Sequence, residues 1–524
     1  MGSEHRERTQ IARRAGLVAA GTLSSRVLGM IRDAVIAATF SVAATDAFWL
    51  AFTIPNALRL LLGEGAVSGA FVPVLTDVRE RRGEGAAARF YRHLSGVMLL
   101  ILVAVSALGV FSAPVLVRLY ASGFAGDPEL FATTVGLTRA VFPYIAFMGA
   151  AALLTGALHA SKRFLAPAFA PLWLNVALIA AALGLPALVE RWGLPAVFAL
   201  AFGALAGGFL QWLVQVPAYR RAGFALVPAF GRDPDVRRAM RLLVPLLVAL
   251  GVYQLNVVAS RQLASYLPRG SISWLFYGQR LVEIPQGMFA LAIGSAALPT
   301  LAELKSRGEL REAKRVFRYG LRLSLFVAIP ASVALTILAE PAVAAVFGRG
   351  RFDADSIEQT ARSLRWLAVG VWAVAAVRTV VPMFHALGDT RTPVWASALN
   401  LVTFFSLGLG LMGPMQHAGL ALAISAAACV QLAGLLLLLR RKVGPLGLRG
   451  VALSALRALV AAGAMGALLW LAAGVRDYRE GGTGANTVFF LAMVVGGALV
   501  YLAVAGFLRS PEIGELRRAL GRRA

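Results

Sequence analysis

Arg26, Arg32, Arg59 and Arg280 each fall inside a stretch that is otherwise apolar enough to sit in lipid. The first two belong to "SSRVLGMIRDAV" at 24–35, where Asp33 adds a third charge. Arg59 lies in "IPNALRLLLGEG" with Glu64 five residues on, Asp46 begins the same second stretch, and Arg261 lies near the end of the seventh. A charge at the centre of a bilayer costs at least ~2.5–3.5 kcal/mol on insertion scales, so such groups face a bundle interior or a watery cavity. Arginine is the informative choice. Its guanidinium stays charged at every relevant pH and is a poor proton carrier. Its planar fork engages carboxylate or phosphate oxygens in pairs, better than the point charge of lysine does. Arg26, Arg32, Arg59 and Arg280 around one cavity predict an anionic ligand, with phosphate or diphosphate first. Asp33, Asp46, Glu64 and Arg261 are the supporting charges. A structural reading competes for part of this set: Asp33 adjoins Arg32 and lies seven residues from Arg26, near one helical face, and Glu64 balances Arg59.

Other chemistries lack their residues. The histidines (His5, His93, His159, His385, His417) are scattered, with no HExxH or paired metal spacing, so no metal or other cofactor is expected. "GEGAVSG" at 63–69 lacks the GK[ST] ending of a P-loop, and "GDTRTP" at 388–393 is a turn sequence. The single cysteine, Cys429, lies within a predicted helix and allows no intrachain disulfide. Arg26 interrupts the first apolar stretch and no small-residue cleavage site follows it, so a cleavable signal peptide is not expected. No enzyme class is favoured, although an integral-membrane transferase acting on lipid-linked sugars would also use cavity arginines, with acidic ligands or a base beside them.

The elements that must position these residues are membrane helices. Of 524 residues, 59% are hydrophobic and 15% charged, against about 45–50% and about 25% in soluble domains. Apolar runs of roughly 20 residues, enough to cross the hydrocarbon, recur along the chain. They predict an all-α polytopic membrane protein of about fourteen helices. The net charge of +25 resembles that of a nucleic-acid binder, but it is concentrated in every second loop. With the N-terminus inside, the inside segments hold about thirty Lys and Arg, against Arg191, Arg269, Arg349, Arg351, Arg476 and Arg479 outside. That asymmetry predicts cytoplasmic termini, anionic lipid headgroups as the natural partner of the loops, and no nucleic acid.

An internal repeat organises the helices. "AVSGAFVPVLTDVRERRGEGAAARFYR" at 66–92 aligns without gaps on "AIGSAALPTLAELKSRGELREAKRVFR" at 292–318, which places Pro73 on Pro299 and Arg92 on Arg318. The same offset of 226 places His159 on His385 and Pro167 on Pro393. About six helices fit in that interval, so the halves are expected to be parallel repeats about an axis along the membrane normal. The expected organisation is two pseudo-symmetric six-helix lobes, 1–225 and 226–445, and two C-terminal helices with a cytoplasmic tail in 446–524. Transporters of this plan bind substrate between the lobes and work by alternating access.

Four stretches carry a family resemblance: "SRVLGMIRDAVIAATF", "ATDAFWLAFTIPNALRLLLGEGAVSGAFVPVL", "FPYIAFMGAAALLTGALHASKRFLAPAFAP" and "SISWLFYGQRLVEIPQGMFALAIGSAALPTL". They resemble the MurJ (MviN) family of bacterial lipid II flippases, within the superfamily that includes MATE exporters and polysaccharide flippases. The resemblance implies transfer of undecaprenyl-diphosphate-linked peptidoglycan precursor from the inner to the outer leaflet of the cytoplasmic membrane. It equates Arg26 and Arg32 with the family's helix-1 arginines, Arg59 with its helix-2 arginine and Arg280 with its helix-8 arginine. These contact the diphosphate and sugar region, while the last two helices form a groove for the lipid tail. Cell-wall synthesis proteins are further partners that it suggests. Two departures stand out. Gln279 replaces the acid that many members carry before the helix-8 arginine, and the predicted seventh and eleventh helices hold none of the acids linked to sodium binding in some members. A hard cation favours carboxylate oxygens, so membrane potential is the expected driving force. A flippase for another polyprenyl-diphosphate oligosaccharide and a MATE-like exporter are the alternatives; cationic drugs would call for acidic cavity residues instead.

Overall fold

The computed structural model describes the backbone of residues 2–61, 67–289, 301, 303–478 and 484–515, with no strand among them. The chain divides into two compact units, 1–266 and 267–524. The first holds α1 (Gly2–Thr39), α2 (Val42–Leu61), α3 (Val67–Phe111), α4 (Ala113–Tyr120), α5 (Pro128–Val141), α6 (Tyr144–Ala160), α7 (Leu165–Gly184), α8 (Pro186–Arg191), α9 (Phe198–Leu213), α10 (Val216–Arg221) and α11 (Pro234–Ala264). The second holds α12 (Ser271–Phe289), α13 (Leu310–Ile337), α14 (Ala339–Phe347), α15 (Ala354–Val369), α16 (Val371–Ala386), α17 (Arg391–Met415), α18 (His417–Val443), α19 (Arg449–Ala473) and α20 (Gly484–Phe507).

Among the described residues nine helices are long and apolar enough to cross a membrane, or ten when α15 and α16, bent by 43°, count as one span. This is a multi-pass helical membrane protein. The long helices outside that set are α1, α2, α11 and α12, and they carry Arg26, Arg32, Asp33, Asp46, Arg59, Arg261 and Arg280. The polar load of the membrane region is therefore concentrated in a few helices.

Helix punctuation repeats with the 226-residue period. α5 begins at Pro128 and α15 at Ala354; α6 ends at Ala160 and α16 at Ala386; α7 begins at Leu165 and α17 at Arg391. The caps repeat too. Asp127 accepts from Leu130 N at 3.2 Å, and Asp353 from Ser356 N at 2.9 Å. Each carboxylate satisfies one of the donors left open in a first helical turn.

In lipid, helix association rests on close packing and on polar contacts more than on burial of apolar surface. Gly21 of α1 shows the packing: a Cβ there would stand 2.5 Å from the Ala168 carbonyl oxygen of α7. α11, which the repeat groups with the second lobe, packs in this structure on the first unit. Arg238 donates to Asp77 of α3 at 2.8 Å, and Arg82 pairs with Asp235. At its other end Gln262 accepts from Ser122 N at 3.0 Å.

α2 ends at Leu61 and α3 begins at Val67, and residues 62–66 between them lie outside the described residues. α3 itself is broken at Gly83, whose φ of 81° is open to glycine at little cost. The break falls where the sequence turns from "RERR" to "GEGAA".

Candidate functional site

α1 places its two arginines differently. Arg26 is exposed and pairs with none of the described residues. Arg32, one and a half turns on, is 6% exposed, and Asp33 is fully buried. The guanidinium is held on three sides. Nε and Nη2 donate to Asp33 Oδ1 at 2.8 and 2.5 Å, Nη1 donates to Asn175 Oδ1 of α7 at 3.0 Å, and the Trp49 ring of α2 lies 5.9 Å away. Asn175 closes the circuit by donating to the Ser25 carbonyl at 3.1 Å. Asn175 is thus tied to the turn that carries Arg26. A buried ion pair survives only when its remaining donors and acceptors find partners, and Asn175 supplies one of each. In this conformation the structural reading describes Arg32 and Asp33.

Arg59 is half-buried near the end of α2, where Nε donates to Asn56 Oδ1 at 2.8 Å. That bond ties Nε to a side chain about one turn earlier on the same helix. Asp46 is buried at the start of α2 and acts electrostatically on Arg261 of α11. The structure therefore brings these two supporting charges near each other within the first unit. Glu64 lies outside the described residues.

In the second unit Arg280 Nη1 donates to Glu283 Oε2 one turn later at 2.9 Å. The two side chains are 29% and 50% exposed, so solvent or a ligand reaches both. Arg378 reaches from α16 to the carbonyl and side-chain oxygens of Gln286, at 3.3 and 3.1 Å, and Glu340 pairs with Arg365 at 3.3 Å. Both are contacts between helices of this unit. Asn175 and Trp49 were not singled out from sequence. A lone amide in an apolar span is the signal that would have found Asn175, whereas Trp49 gives none.

Buried charge on a few helices, repeated helix punctuation and at least nine candidate spans among the described residues define a polytopic helical membrane protein. The comparisons make this particular. The family model described as "Lipid II flippase MurJ" matches residues 36–489. The lipid II flippase MurJ of Burkholderia cenocepacia is 36% identical over 439 residues, 82% of this chain and 84% of that one. The probable lipid II flippase MurJ of Bdellovibrio bacteriovorus is 31% identical over 519 residues, 98% of each. The chain belongs to the MurJ family of lipid II flippases. A solved lipid II flippase MurJ in an inward closed conformation shares the fold, with TM-score 0.78, 24% identity and coverage of 95% of this chain and 99% of that one. An inward-facing MATE family multidrug transporter shares it more distantly, with TM-score 0.66, 13% identity and coverage of 80% and 95%.

Proposed function

We propose that this protein carries lipid II from the inner to the outer leaflet of the bacterial cytoplasmic membrane by alternating access, with both termini in the cytoplasm. The observation that carries the reading is Arg26. It is an exposed guanidinium on a helix of a multi-pass protein, without a partner among the described residues, in a chain whose relatives are named lipid II flippases. A permanent cation in that setting calls for an anion, and a diphosphate offers oxygens for its fork.

Arg26, Arg59 and Arg280 are the proposed contacts of the diphosphate. Arg32 serves as a positioning residue through Asp33 and Asn175. Asp46 and Arg261 hold α2 and α11 in register, and Glu64 supports Arg59. The pair α19 and α20 takes the polyprenyl tail, and the basic loops rest on anionic headgroups. Membrane potential drives the cycle, and cell-wall synthases that consume the product are the expected protein partners.

The test is complementation in cells depleted of their own flippase, with externally accessible lipid II as the readout. Wild type restores access, while Arg26→Ala, Arg59→Ala and Arg280→Ala, each inserted at wild-type level, lower it at least tenfold. Equal restoration by all three variants would remove the arginines from the site. Failure of well-expressed wild type, with retained binding of a different lipid-linked oligosaccharide, would reassign the substrate.

A further inference from the structure

Within the first unit a cavity of about 300 Å³ opens among α3, α6, α9, α10 and the segment that follows α10. Leu99, Ala150, Leu154, Trp212 and Leu226 make most of its wall apolar, with Ser95 and, toward the α10 end, Tyr219 also lining it. None of the charged residues discussed above lines it.

The segment 222–233, "AGFALVPAFGRD", closes one side. It is fastened to α3: Ala229 N donates to the Arg92 carbonyl at 2.9 Å, and Arg92 Nε donates to the Val227 carbonyl at 3.2 Å. Gly96 makes room for it, since a Cβ there would stand 2.2 Å from the Ala229 oxygen. Yet this well-anchored segment turns Val227 and Phe230 outward, 64% and 61% exposed. Arginines stand near both of its ends in sequence: Arg220 and Arg221 directly precede it, Arg232 lies near its close, and Arg237 and Arg238 follow, with Asp233 and Asp235 among them and Arg238 paired with Asp77.

An apolar slot beside outward hydrophobic side chains, with the exposed Arg220 and Arg221 next in sequence to the Tyr219 that lines it, matches a molecule that is greasy at one end and anionic at the other. Basic pockets between membrane helices on the cytoplasmic side select acidic lipid headgroups, and outward apolar residues among basic ones mark a segment lying in the interface. A sugar or peptide would leave its polar groups unmatched against this wall. We propose that the cavity binds one anionic phospholipid of the cytoplasmic leaflet, an acyl chain in the slot and the phosphate at Arg220 and Arg221. The leaflet rests on the orientation proposed above; the lipid site itself does not.

Native mass spectrometry of the full-length protein in detergent, with phosphatidylglycerol or phosphatidylcholine added, is the first arm. Wild type keeps one phosphatidylglycerol at least fivefold more strongly than phosphatidylcholine. Ala150→Phe, which fills the slot, loses that lipid at least fivefold, and Arg220→Gln/Arg221→Gln brings the two lipids to near equality. Unchanged occupancy in Ala150→Phe, equal binding of both lipids by wild type, or displacement of phosphatidylglycerol by equimolar undecaprenyl diphosphate would overturn the site. If Ala150→Phe does not fold, the surface variant decides alone, because unchanged selectivity there also overturns it. The second arm labels Val227→Cys in a Cys429→Ala background with an impermeant maleimide. Labelling in inside-out vesicles supports the leaflet, and labelling from outside intact cells overturns it. Lipid binding without lipid II transfer would separate this site from the flippase reading.

Discussion

Arg322 of α13 holds Glu512, in the helical segment 511–515 that follows α20, with Nε 2.7 Å from Oε1, and the carboxylate is wholly buried. Ser454 of α19 donates to the same oxygen at 2.6 Å, and Glu515 is paired with the same guanidinium. Tyr501 of α20 adds a bond to the Phe326 carbonyl at 2.5 Å. One arginine thus joins three parts of the second unit. It also completes a row. Lys314, Arg318 and Arg322 stand four residues apart on α13, and the first two donate to carbonyls of residues 443–446.

Removing one partner of a buried ion pair costs about 3–5 kcal/mol, because the other charge is stranded. Glu512→Ala is expected to lower the melting temperature in detergent by several degrees. The double variant Arg322→Met/Glu512→Met should recover most of the loss. A double variant as weak as the single one would show that packing of residues 508–515, and not the charge, is what matters.

Asn175→Leu leaves Arg32 Nη1 without its acceptor and the Ser25 carbonyl without its donor. A hydrogen bond to a charged group is worth about 1.5–3 kcal/mol. The variant is therefore expected to lose that much stability and, because Ser25 adjoins Arg26, to transport more slowly at equal expression. Asn175→Asp keeps an acceptor for Arg32 and should hold its stability better than leucine does. Denaturation of the purified variants beside the lipid II access assay separates the two effects.

Geometry distinguishes arginine from lysine at the proposed contacts. Arg59 Nε donates to Asn56, and the planar fork of a guanidinium offers a ligand paired donors that an ammonium does not. Lysine keeps the charge and loses that pairing. Arg59→Lys is expected to transport at an intermediate rate, several-fold below wild type and above Arg59→Ala. Full activity of the lysine variant would reduce the role of Arg59 to charge alone.

Asp389, in the loop before α17, is held well below the usual carboxylate range by the Lys442 ammonium at 2.6 Å and by hydrogen bonds from Thr392. A carboxyl depressed in the folded state stabilises above its unfolded value, about 3.9, and that contribution fades as pH falls through the folded value. Asp389→Asn is expected to melt lower than wild type at pH 7, with the gap narrowing below about pH 4. Lys442 is 44% exposed, so the gap at pH 7 is about 1 kcal/mol or less. A gap that stays constant with pH would assign the effect to the loop backbone.

The sequence disclosed the features that repeat or that break a local rule. Arg26, Arg32 and Arg59 stand out because lipid tolerates few charges, and the 226-residue period is visible because both halves kept their prolines and histidines in place. The Asp127 and Asp353 caps obey the same period, although only the structure displays them as caps. Pairing between distant residues stayed hidden. Glu512 reads as one more charge in a basic tail, and nothing local marks it as buried. Asn175 reads as a tolerated amide until Arg32 is placed beside it. The packing of α11 on the first unit was equally hidden, since it depends on Asp77 and Arg82, more than 150 residues earlier.

The row on α13 also has a timetable. Lys314 meets its carbonyl partner 129 residues further along the chain, and Arg322 meets Glu515 only after 193. At about 5–20 residues per second of synthesis, these cations wait about 6–40 seconds for their partners to be made. They are then occupied in order, with Arg322 last. A nascent chain that stalls between α20 and residue 512 leaves Arg322 without either of its carboxylates. Such a chain would hold α19 and α20 by their remaining contacts, Tyr501 on the Phe326 carbonyl among them, and would lack the ion-pair cluster that ties residues 512–515 to α13 and α19.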